Sequence, residues 1–400
     1  MGGNVVMVKL INITGKALSG EWGSEDKENT GIPVLRTTNF KNNGDIDFSC
    51  VVTRNIKKEK IQSKFLKKGD IIIEKSGGTD TQPVGRVVYF ENDENKYLFN
   101  NFTGLLRVQD TTKWVPKYIF YSLYANYQKG NTRKYENKTT GLHNLKTDKY
   151  VNDFEVDEIP YEEQNEICAK LDSVENVIKW YEELLELHEK TIIVRFIELF
   201  GDPVANDKNW ETLLLKNIGE CKNGMNFHYD EQGVEIHCLG VGDFKDYSVI
   251  SETHKLPMIS LDAMPKEDYL LEDGDIVFVR SNGNKALVGR SAAVYTGDTP
   301  TTFSGFCIRF RNNCEKIQIP YLLRVLKTES MRKKMAGRGA NIQNLNQQIL
   351  ANLVIPVPPI ELQQQFAEFV EQVEKAKQVI NEQLVELETL KKSLMQKYFG

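Results

Sequence analysis

The sequence lacks the residue pairings that cysteine and histidine need for a structural role. Its six cysteines are scattered with no C-x-x-C spacing, and its five histidines do not follow the spacing of a zinc finger. Neither a zinc site nor a disulfide framework is therefore indicated. Reduced, buried thiols are what we expect, as is usual for a cytoplasmic protein.

Long apolar runs are also missing. No uninterrupted apolar segment is long enough for a membrane-spanning helix. The opening stretch, MGGNVVMVKL, is too short and too weakly basic for a signal peptide. We therefore expect no membrane partner.

Motifs of the common catalytic chemistries are absent as well. There is no glycine-rich loop followed by Lys-Ser or Lys-Thr, which nucleotide hydrolysis would need. The sequence contains neither the Asn-Pro-Pro-aromatic motif of amino-methyltransferases nor a convincing cofactor-binding glycine motif, and no histidine has a convincing nucleophile partner. We expect a chain with no catalytic residue, no metal and no cofactor.

The composition is that of a globular protein with real cores. The 400 residues are 40% hydrophobic and 27% charged, which suggests two or three domains. The formal net charge of -5 argues against a chain that coats nucleic acid along its whole surface. Acidic residues are in excess in segments 159–201 and 359–400, so any phosphate-binding face must be a local patch.

Two long segments of equal length repeat each other. Residues 160–201 align without a gap with residues 359–400, and both open with Pro followed by Glu and Gln and close with Phe-Gly. Proline and acids suit the first turn of a helix, and glycine suits its end. The repeat therefore predicts two helices of about 60 Å each at 1.5 Å per residue.

Apolar residues in the first segment recur at alternating spacings of four and three, as in a coiled-coil seam. They are Ile167, Leu171, Val174, Ile178, Tyr181, Leu185, His188 and Ile192. The second segment keeps this pattern with Phe366, Val370, Val373, Ile380, Leu384 and Leu387, but Lys377 and Lys391 interrupt it. We expect its seam to shift there toward Ala376, Leu390 and Leu394, and each helix to pack against the other.

The remaining sequence repeats more loosely. GDIIIEKSGG at Gly69 corresponds to GDIVFVRSNG at Gly274, and VGRVVYF corresponds to VGRSAAVY. Each half reads as strands between Gly/Asp/Asn turns, an amphipathic helix, a polar loop and a strand that leads into the long helix. We predict a mixed α/β (α+β) fold with globular domains at 1–158 and 202–358 and long helices at 159–201 and 359–400.

The order of these motifs resembles the specificity subunit of type I restriction–modification systems. It consists of Gly-Asp with an apolar strand and a Ser-Gly loop, then Val-Gly-Arg, then Gly…Asn-Leu, and then Ile-Pro-x-Pro-Pro-x-x-x-Gln before a helix ending in Phe-Gly. ANLVIPVPPIELQQQF, residues 351–366, is the most telling stretch. The resemblance covers essentially the whole chain, twice.

This resemblance implies a non-catalytic, DNA-binding function. Each globular half would be a target recognition domain that reads one half of a split sequence in double-stranded DNA. The two helices would pack antiparallel as a spacer and dock two modification (methyltransferase) subunits, which restriction subunits can join. No cofactor is implied for this chain.

Candidate DNA-contacting residues combine a cation with hydroxyl, amide or glycine neighbours, which suit phosphates and base edges. In the first half they are Lys75, Ser76, Gly77, Gly78, Thr79, Arg86, Arg133, Lys134, His143 and Asn144. In the second half they are Arg280, Ser281, Asn282, Gly283, Lys285, Arg290, Arg338, Asn341 and Asn344. The alternatives are a solvated hairpin loop after each apolar strand, a structural ion pair for Arg86 and Arg290, and plain solvated faces for the basic runs.

Two rival functions belong to other classes. A nuclease could use Asp70, Glu74 and Lys75, but Glu74 and Lys75 are adjacent where acid-x-lysine spacing is usual, and the second copy has Val279 and Arg280 there. A coiled-coil scaffold that binds only proteins would show no salt-dependent affinity for DNA. For the two Gly-Asp pairs themselves, we favour a turn that leads into a buried strand over a nuclease site.

Overall fold

The structure is a computed structural model that describes residues 6–57, 61–139, 142–228, 231–244, 249–336 and 345–400. It divides into two compact units. Unit 1 comprises Met1–Tyr181 together with Gln383–Gly400, and unit 2 comprises Glu182–Glu382. Among the described residues, no helix combines the length and the apolar character needed to cross a membrane.

Unit 1 mixes short strands with helices. Its strands are β1 Val6–Lys9, β2 Leu18–Ser19, β3 Ser24–Glu25, β4 Ile32–Leu35, β5 Val52–Asn55, β6 Ile71–Glu74, β7 Ser76–Gly78, β8 Val87–Tyr89, β9 Leu98–Phe99, β10 Thr103–Leu106, β11 Glu136–Thr139, β12 Leu142–Leu145 and β13 Glu155–Glu158. Its helices are α1 Leu10–Thr14, α2 Pro116–Gln128 and α3 Thr147–Asp153, followed by the long helix α4 Tyr161–Phe200, which continues into unit 2.

Unit 2 has the same kind of composition. Its strands are β14 Glu211–Leu214, β15 Gly219–Asn223, β16 Val234–Leu239, β17 Val249–Ile250, β18 Met258–Leu261, β19 Asp275–Val279, β20 Ser291–Val294, β21 Thr301–Phe303, β22 Cys307–Asn312 and β23 Val354–Val357. Its helices are α5 Ile319–Lys327, α6 Glu329–Ala336 and α7 Gln347–Ala351, followed by the long helix α8 Ile360–Phe399.

The two units share a sheet plan. Unit 1 pairs its strands in the orders β2-β10-β6-β8, β3-β5-β4-β9, β11-β12-β7 and β1-β13. Unit 2 has β15-β22-β19-β20-β17, β18-β16-β21 and β14-β23. In both, an antiparallel core of three strands accompanies a second sheet in which one pair is parallel, β4 with β9 and β16 with β21. The predicted mixed α/β repeat is confirmed.

Each Gly-Asp pair leads into a fully buried central strand, as predicted. Gly69 and Gly274 adopt positive φ angles of 96° and 89°, which glycine tolerates because it has no Cβ. Ile71 and Ile73 of β6 belong to one apolar cluster of unit 1, while Ile72 between them belongs to another. A strand that is covered on both faces needs this continuous apolar run instead of alternation.

The two long helices have the predicted extents, with 40 residues each. In unit 2, the rings of Phe196 and Phe366 lie 5.6 Å apart, and Lys377 lies 3.4 Å from Glu189. The residue numbers of the facing positions therefore rise along α4, from 189 to 196, while they fall along α8, from 377 to 366. Within unit 2 the two helices run antiparallel.

In unit 1, the last turns of α8 pack on the globular part. Leu394, Met395 and Tyr398 cover a cluster that includes Leu171 of α4. The ring of Phe399 lies 5.4 Å from that of Tyr118 in α2. Both long helices thus contribute to the core of each unit.

The expected shift of the second seam is wrong at Leu390, although Leu394 packs on the apolar cluster of unit 1 as expected. Leu390 is 46% exposed, whereas Lys391 is only 8% exposed and forms an ion pair with Glu175. Lys377 is likewise half-buried and paired with Glu189 and Glu374. The seam keeps its register because acids on the facing helix neutralise both lysines, so no apolar substitute is needed at those positions.

Candidate nucleic-acid interface

The residues after β6 form a strand instead of the loop that the sequence suggested. Ser76–Gly78 is strand β7, in which Ser76 pairs with Asn144 and Gly78 pairs with His143 of β12. Two candidate segments that are far apart in the sequence therefore meet in one small sheet. Polar side chains and glycine backbone from both segments are brought together at this edge of unit 1.

Glycine at 77 and 78 is required by this geometry. Gly77 has a φ of 135°, a conformation that side chains disfavour. A Cβ on Gly78 would lie 2.6 Å from the backbone nitrogen of Val84. The backbone at Gly78 therefore packs closely against Val84. The turn that follows is closed by the Thr79 N–H group, which donates to the Gln82 carbonyl over 2.7 Å.

Lys75 supplies the cation at the start of this segment. Its Nζ donates to Ser19 Oγ over 3.2 Å, and the side chain is half-buried. Burial lowers the pKa of Lys75 because desolvation penalises the charged amine. A partly desolvated ammonium interacts more strongly with an incoming phosphate than one in open water.

Arg133 and Lys134 extend the basic character of this region. Both are exposed on the 3-10 helix Asn131–Tyr135. Arg133 Nη2 donates to the Thr81 carbonyl over 3.1 Å, which brings the helix beside the turn after β7. Lys134 Nζ lies 5.2 Å from the centre of the Tyr135 ring. The sequence had not indicated that these two segments are neighbours.

His143 has a different environment from the one that a DNA contact would need. It is 4% exposed, its Nδ1 lies 2.9 Å from Glu136 Oε2, and its Nε2 lies 3.5 Å from Asp80 Oδ1. Glu136 also accepts from the backbone N–H of Val84 over 2.9 Å. The imidazole therefore holds β12 and its neighbours in place, and we leave it out of the interface.

Arg86 also points inward, as its ion-pair alternative required. Its guanidinium donates to the carbonyls of Thr37 and Phe40 over 2.9 Å each and lies 3.4 Å from Glu74. Burial raises the pKa of Glu74, although Arg86 opposes that shift. With these internal bonds, Arg86 is occupied within the fold and is also left out of the interface.

Unit 2 keeps the corresponding segment as a loop. The backbone N–H groups of Arg280 and Ser281 donate to the Phe306 carbonyl over 2.8 and 3.4 Å, and Arg280 Nη1 donates to the Gly305 carbonyl over 3.3 Å. Asn282 Oδ1 accepts from Asn284 N–H over 2.8 Å. This loop carries a guanidinium where the first unit carries an ammonium.

The rest of that loop is open. Gly283 is exposed, and a Cβ added there would meet nothing within 4 Å. Lys285 begins the 3-10 helix Lys285–Leu287. Arg290 is half-buried. Burial, together with the nearby positive charge of Arg290, lowers the pKa of Arg332. Three candidates, Arg338, Asn341 and Asn344, lie outside the described residues.

At the start of each central strand, the end opposite the polar segment, lies a buried ion pair that sequence reasoning missed. Asp70 and Asp275 are each 1% exposed. Arg107 binds Asp70 through two bonds of 2.6–2.7 Å, and Arg311 binds Asp275 through two of 2.8–2.9 Å. The available signal was an arginine 37 residues after the first aspartate and 36 after the second. A bidentate pair of this kind fixes the start of the central strand.

A second repeated device fixes the start of each long helix. Gln164 Oε1 accepts from Val115 N–H over 2.9 Å, and its amide donates to the carbonyls of Lys113 and Ile159. Gln363 does the same with Gln318 N–H, also over 2.9 Å. Each globular part is thus joined to its helix by matched hydrogen bonds.

The chemistry of these sites suits binding. Among the residues that the structure describes, no cluster of three or more His, Cys, Asp or Glu side chains could hold a metal ion. The thiols of Cys168, Cys221 and Cys238 are held neutral, since burial raises the pKa of each to about 12. What each unit presents instead is a cation followed by a serine, directly after its buried central strand.

Comparison with known proteins agrees with this geometry. The family model for the type I restriction modification DNA specificity domain matches residues 7–188 and again 207–389. The StySPI specificity subunit of a type I restriction enzyme from Salmonella potsdam is 24% identical over 92% of this chain and 81% of its own. The MjaVIII specificity subunit from Methanocaldococcus jannaschii is 25% identical over 70% of this chain and 68% of its own.

A solved structure shares the fold over its full length. The S subunit of a type I restriction–modification system from M. genitalium superposes with a TM-score of 0.57 and 16% identity, covering 100% of this chain and 98% of that one. The family model thus matches the chain twice, and the solved S subunit shares its fold. The chain belongs to the family of type I restriction–modification specificity subunits, whose role is the recognition of DNA.

Proposed function

We propose that this chain binds a bipartite sequence in double-stranded DNA and directs two modification (methyltransferase) subunits to it, with restriction subunits joining the same complex. Residues 1–158 and 202–358 serve as the two target recognition domains. Segments 159–201 and 359–400 serve as the spacer and as the docking surface for the modification subunits. The chain itself carries out no chemistry.

The observation that supports this most directly is the duplicated loop. In both units a cation and a serine follow a buried central strand, and their backbone N–H groups donate to one phenylalanine carbonyl, Phe102 or Phe306. The framework is shared, while the side chains that it displays differ: Lys75 with two glycines in one unit, Arg280 with Asn282 in the other. Two recognition domains that share a framework but display different side chains suit the binding of two different half-sites.

The proposed contacting residues are the sequence candidates other than Arg86 and His143, whose side chains are bonded within the fold. In unit 1 they are Lys75, Ser76, Gly77, Gly78, Thr79, Arg133, Lys134 and Asn144. In unit 2 they are Arg280, Ser281, Asn282, Gly283, Lys285 and Arg290, together with Arg338, Asn341 and Asn344 of the undescribed segment. Cations in this set would bind phosphates, and the amides and hydroxyls would read base edges.

Co-expression tests the proposal. The chain is produced with the modification subunits of its own system in a host that lacks them, and methylation is mapped across the genome. Methylation at one split sequence is expected, and it should disappear when the chain is omitted. Modification subunits that methylate the same sites without the chain would contradict the proposal.

A domain exchange tests the modular assignment. Replacing residues 1–158 with the recognition domain of a homologue should change one half of the methylated sequence and leave the other half and the gap unchanged. Lengthening both long helices by matched insertions should change the gap alone. If the exchange altered both halves, the assignment of one half-site to each domain would be wrong.

A scaffold that binds only proteins is the alternative outcome. It predicts that the complex has no preference for the mapped sequence and no loss of DNA affinity as salt is raised. Binding through phosphates predicts a steep loss with salt, because counterions are released from the duplex. Titration of the purified complex with the mapped duplex at several salt concentrations separates the two.

A further inference from the structure

Two phenylalanine side chains project into solvent at matched places in the two units. Phe102 is 50% exposed and Phe306 is 60% exposed. Each is the third residue of a β-turn, closed by Thr103 N–H donating to the Asn100 carbonyl over 3.1 Å and by Cys307 N–H donating to the Ser304 carbonyl over 2.8 Å. The same tight turn therefore displays an aromatic ring in each unit.

The turns are built into the proposed interface. The Phe102 carbonyl accepts from the backbone N–H groups of Lys75 and Ser76 over 2.8 and 3.2 Å. The Phe306 carbonyl accepts from those of Arg280 and Ser281 over 2.8 and 3.4 Å. These bonds fix each turn against the start of the polar segment, while the rings of Phe102 and Phe306 remain exposed.

Core packing does not account for these rings. An aromatic side chain left in water gains none of the free energy that burial provides. One exposed apolar residue is ordinary on a protein surface. Two at corresponding positions, each on a turn bonded to a loop with a cation, indicate a shared binding role.

We propose that Phe102 and Phe306 are equivalent DNA-contacting residues, whose rings pack against the bases of the half-site read by their own unit. This inference deepens the proposed function and depends on it. Neither residue was among the candidates from the sequence, because a single phenylalanine between two strands reads as an ordinary apolar residue.

The charge beside each ring favours DNA over a protein partner. A Cβ on Gly104 would lie 3.2 Å from Cδ of Lys75, so the lysine stem crosses the start of β10 next to the turn. In unit 2, the Arg280 guanidinium donates to Gly305 of the turn itself. A cation next to an apolar ring matches a duplex, where phosphates line the grooves in which base edges are exposed.

The test uses the complex of the chain with its modification subunits and a duplex that carries the methylated sequence mapped above. Phe102→Ala and Phe306→Ala should each weaken binding on the order of 10-fold, within the range found when a base-stacking aromatic is removed. The double variant should lose more than either single variant. Met7→Ala and Val354→Ala are matched controls, since these side chains are 49% and 50% exposed.

Salt dependence separates ring contacts from phosphate contacts. The loss in Phe102→Ala should be the same at every salt concentration, because the ring releases no counterion. Lys75→Ala should instead reduce the slope of log affinity against log salt by about 1. Phe102→Leu keeps an apolar side chain without a flat ring and should bind nearly as weakly as Phe102→Ala.

Three results would overturn the inference. The first is binding by both alanine variants within twofold of the unmodified complex. The second is loss of the modification subunits from the variants in size-exclusion chromatography, which would make the turns a protein interface. The third is equal strength of Phe102→Leu and the unmodified chain. An unmodified complex with no preference for the mapped duplex would instead refute the proposed function itself, and the inference with it.

Discussion

The buried pair of Asp70 and Arg107 should be the most sensitive point of unit 1. Asp70 accepts two bonds from Arg107 and a third from the backbone N–H of Lys67 over 2.7 Å. Asp70→Ala removes both carboxylate oxygens and with them all three hydrogen bonds. The variant leaves a guanidinium in the fold without its counterion, and a backbone donor without its partner.

The size of the effect follows from burial. Removing one partner of a fully buried ion pair costs about 3–5 kcal/mol. The Arg107 side chain is 29% exposed, so water replaces part of what is lost. We therefore expect the free energy of unfolding of unit 1 to fall by about 2–4 kcal/mol. For a unit of this size that corresponds to a decrease in melting temperature of roughly 4–16 °C.

Hydrogen exchange measured by mass spectrometry is the appropriate assay, because the chain has two units and a single melting curve would mix them. Amides of β6 and β10 should exchange faster in Asp70→Ala, while those of β19 and β22 should be unchanged. Asp275→Ala should give the reverse pattern. Glu94→Ala is the control, since Glu94 and Lys96 form an exposed pair of little energetic value.

A double-mutant cycle completes the test. If the pair acts as described, Asp70→Ala with Arg107→Met should cost clearly less than the sum of the two single changes. Additivity within about 0.5 kcal/mol, or a single-variant cost below about 1 kcal/mol, would refute the assignment of this pair as a stabilising contact at the start of β6.

Three further predictions concern the helices and their junctions. Gln164→Ala should destabilise unit 1 by about 2 kcal/mol in urea unfolding, because the buried N–H of Val115 loses its acceptor. Lys391→Ala should lower the free energy of unfolding by about 2–4 kcal/mol, because it leaves Glu175 unpaired in the seam. Changing both Lys391 and Glu175 to leucine should recover most of that loss in the same assay. Burial lowers the pKa of Lys327 to about 8; since the unfolded chain binds this proton up to about pH 10.4, stability should rise between these values, and Lys327→Met should flatten that rise in melts at several pH values.

The sequence carried enough information for the larger architecture. The two long helices follow from a gapless repeat with a coiled-coil pattern, and the central strands follow from Gly-Asp before a continuous apolar run. Both are local patterns, in which neighbouring residues alone determine the outcome. The helices and the central strands could therefore be predicted without knowledge of any tertiary contact.

Contacts between distant residues were not legible in this way. Nothing local shows that Arg107 pairs with Asp70, or that His143 is turned toward Glu136 instead of toward a ligand. The lysines of α8 show the same limit. In the sequence alone Lys391 interrupts the apolar seam, but in the structure it fits the seam because it forms an ion pair with Glu175 of α4. Strand β7 was missed because two glycines have little intrinsic preference for a strand, and its pairing with β12 supplies the stability.

The composition of unit 1 has a consequence for synthesis on the ribosome. That unit needs residues 383–400, whose Leu394, Met395 and Tyr398 cover its apolar cluster. Unit 2, in contrast, is one continuous stretch of chain. Unit 1 must therefore wait, with apolar side chains uncovered, until residues 383–400 have been synthesised, while unit 2 can complete its core before then. Chaperone demand during translation should accordingly be concentrated on residues 1–181.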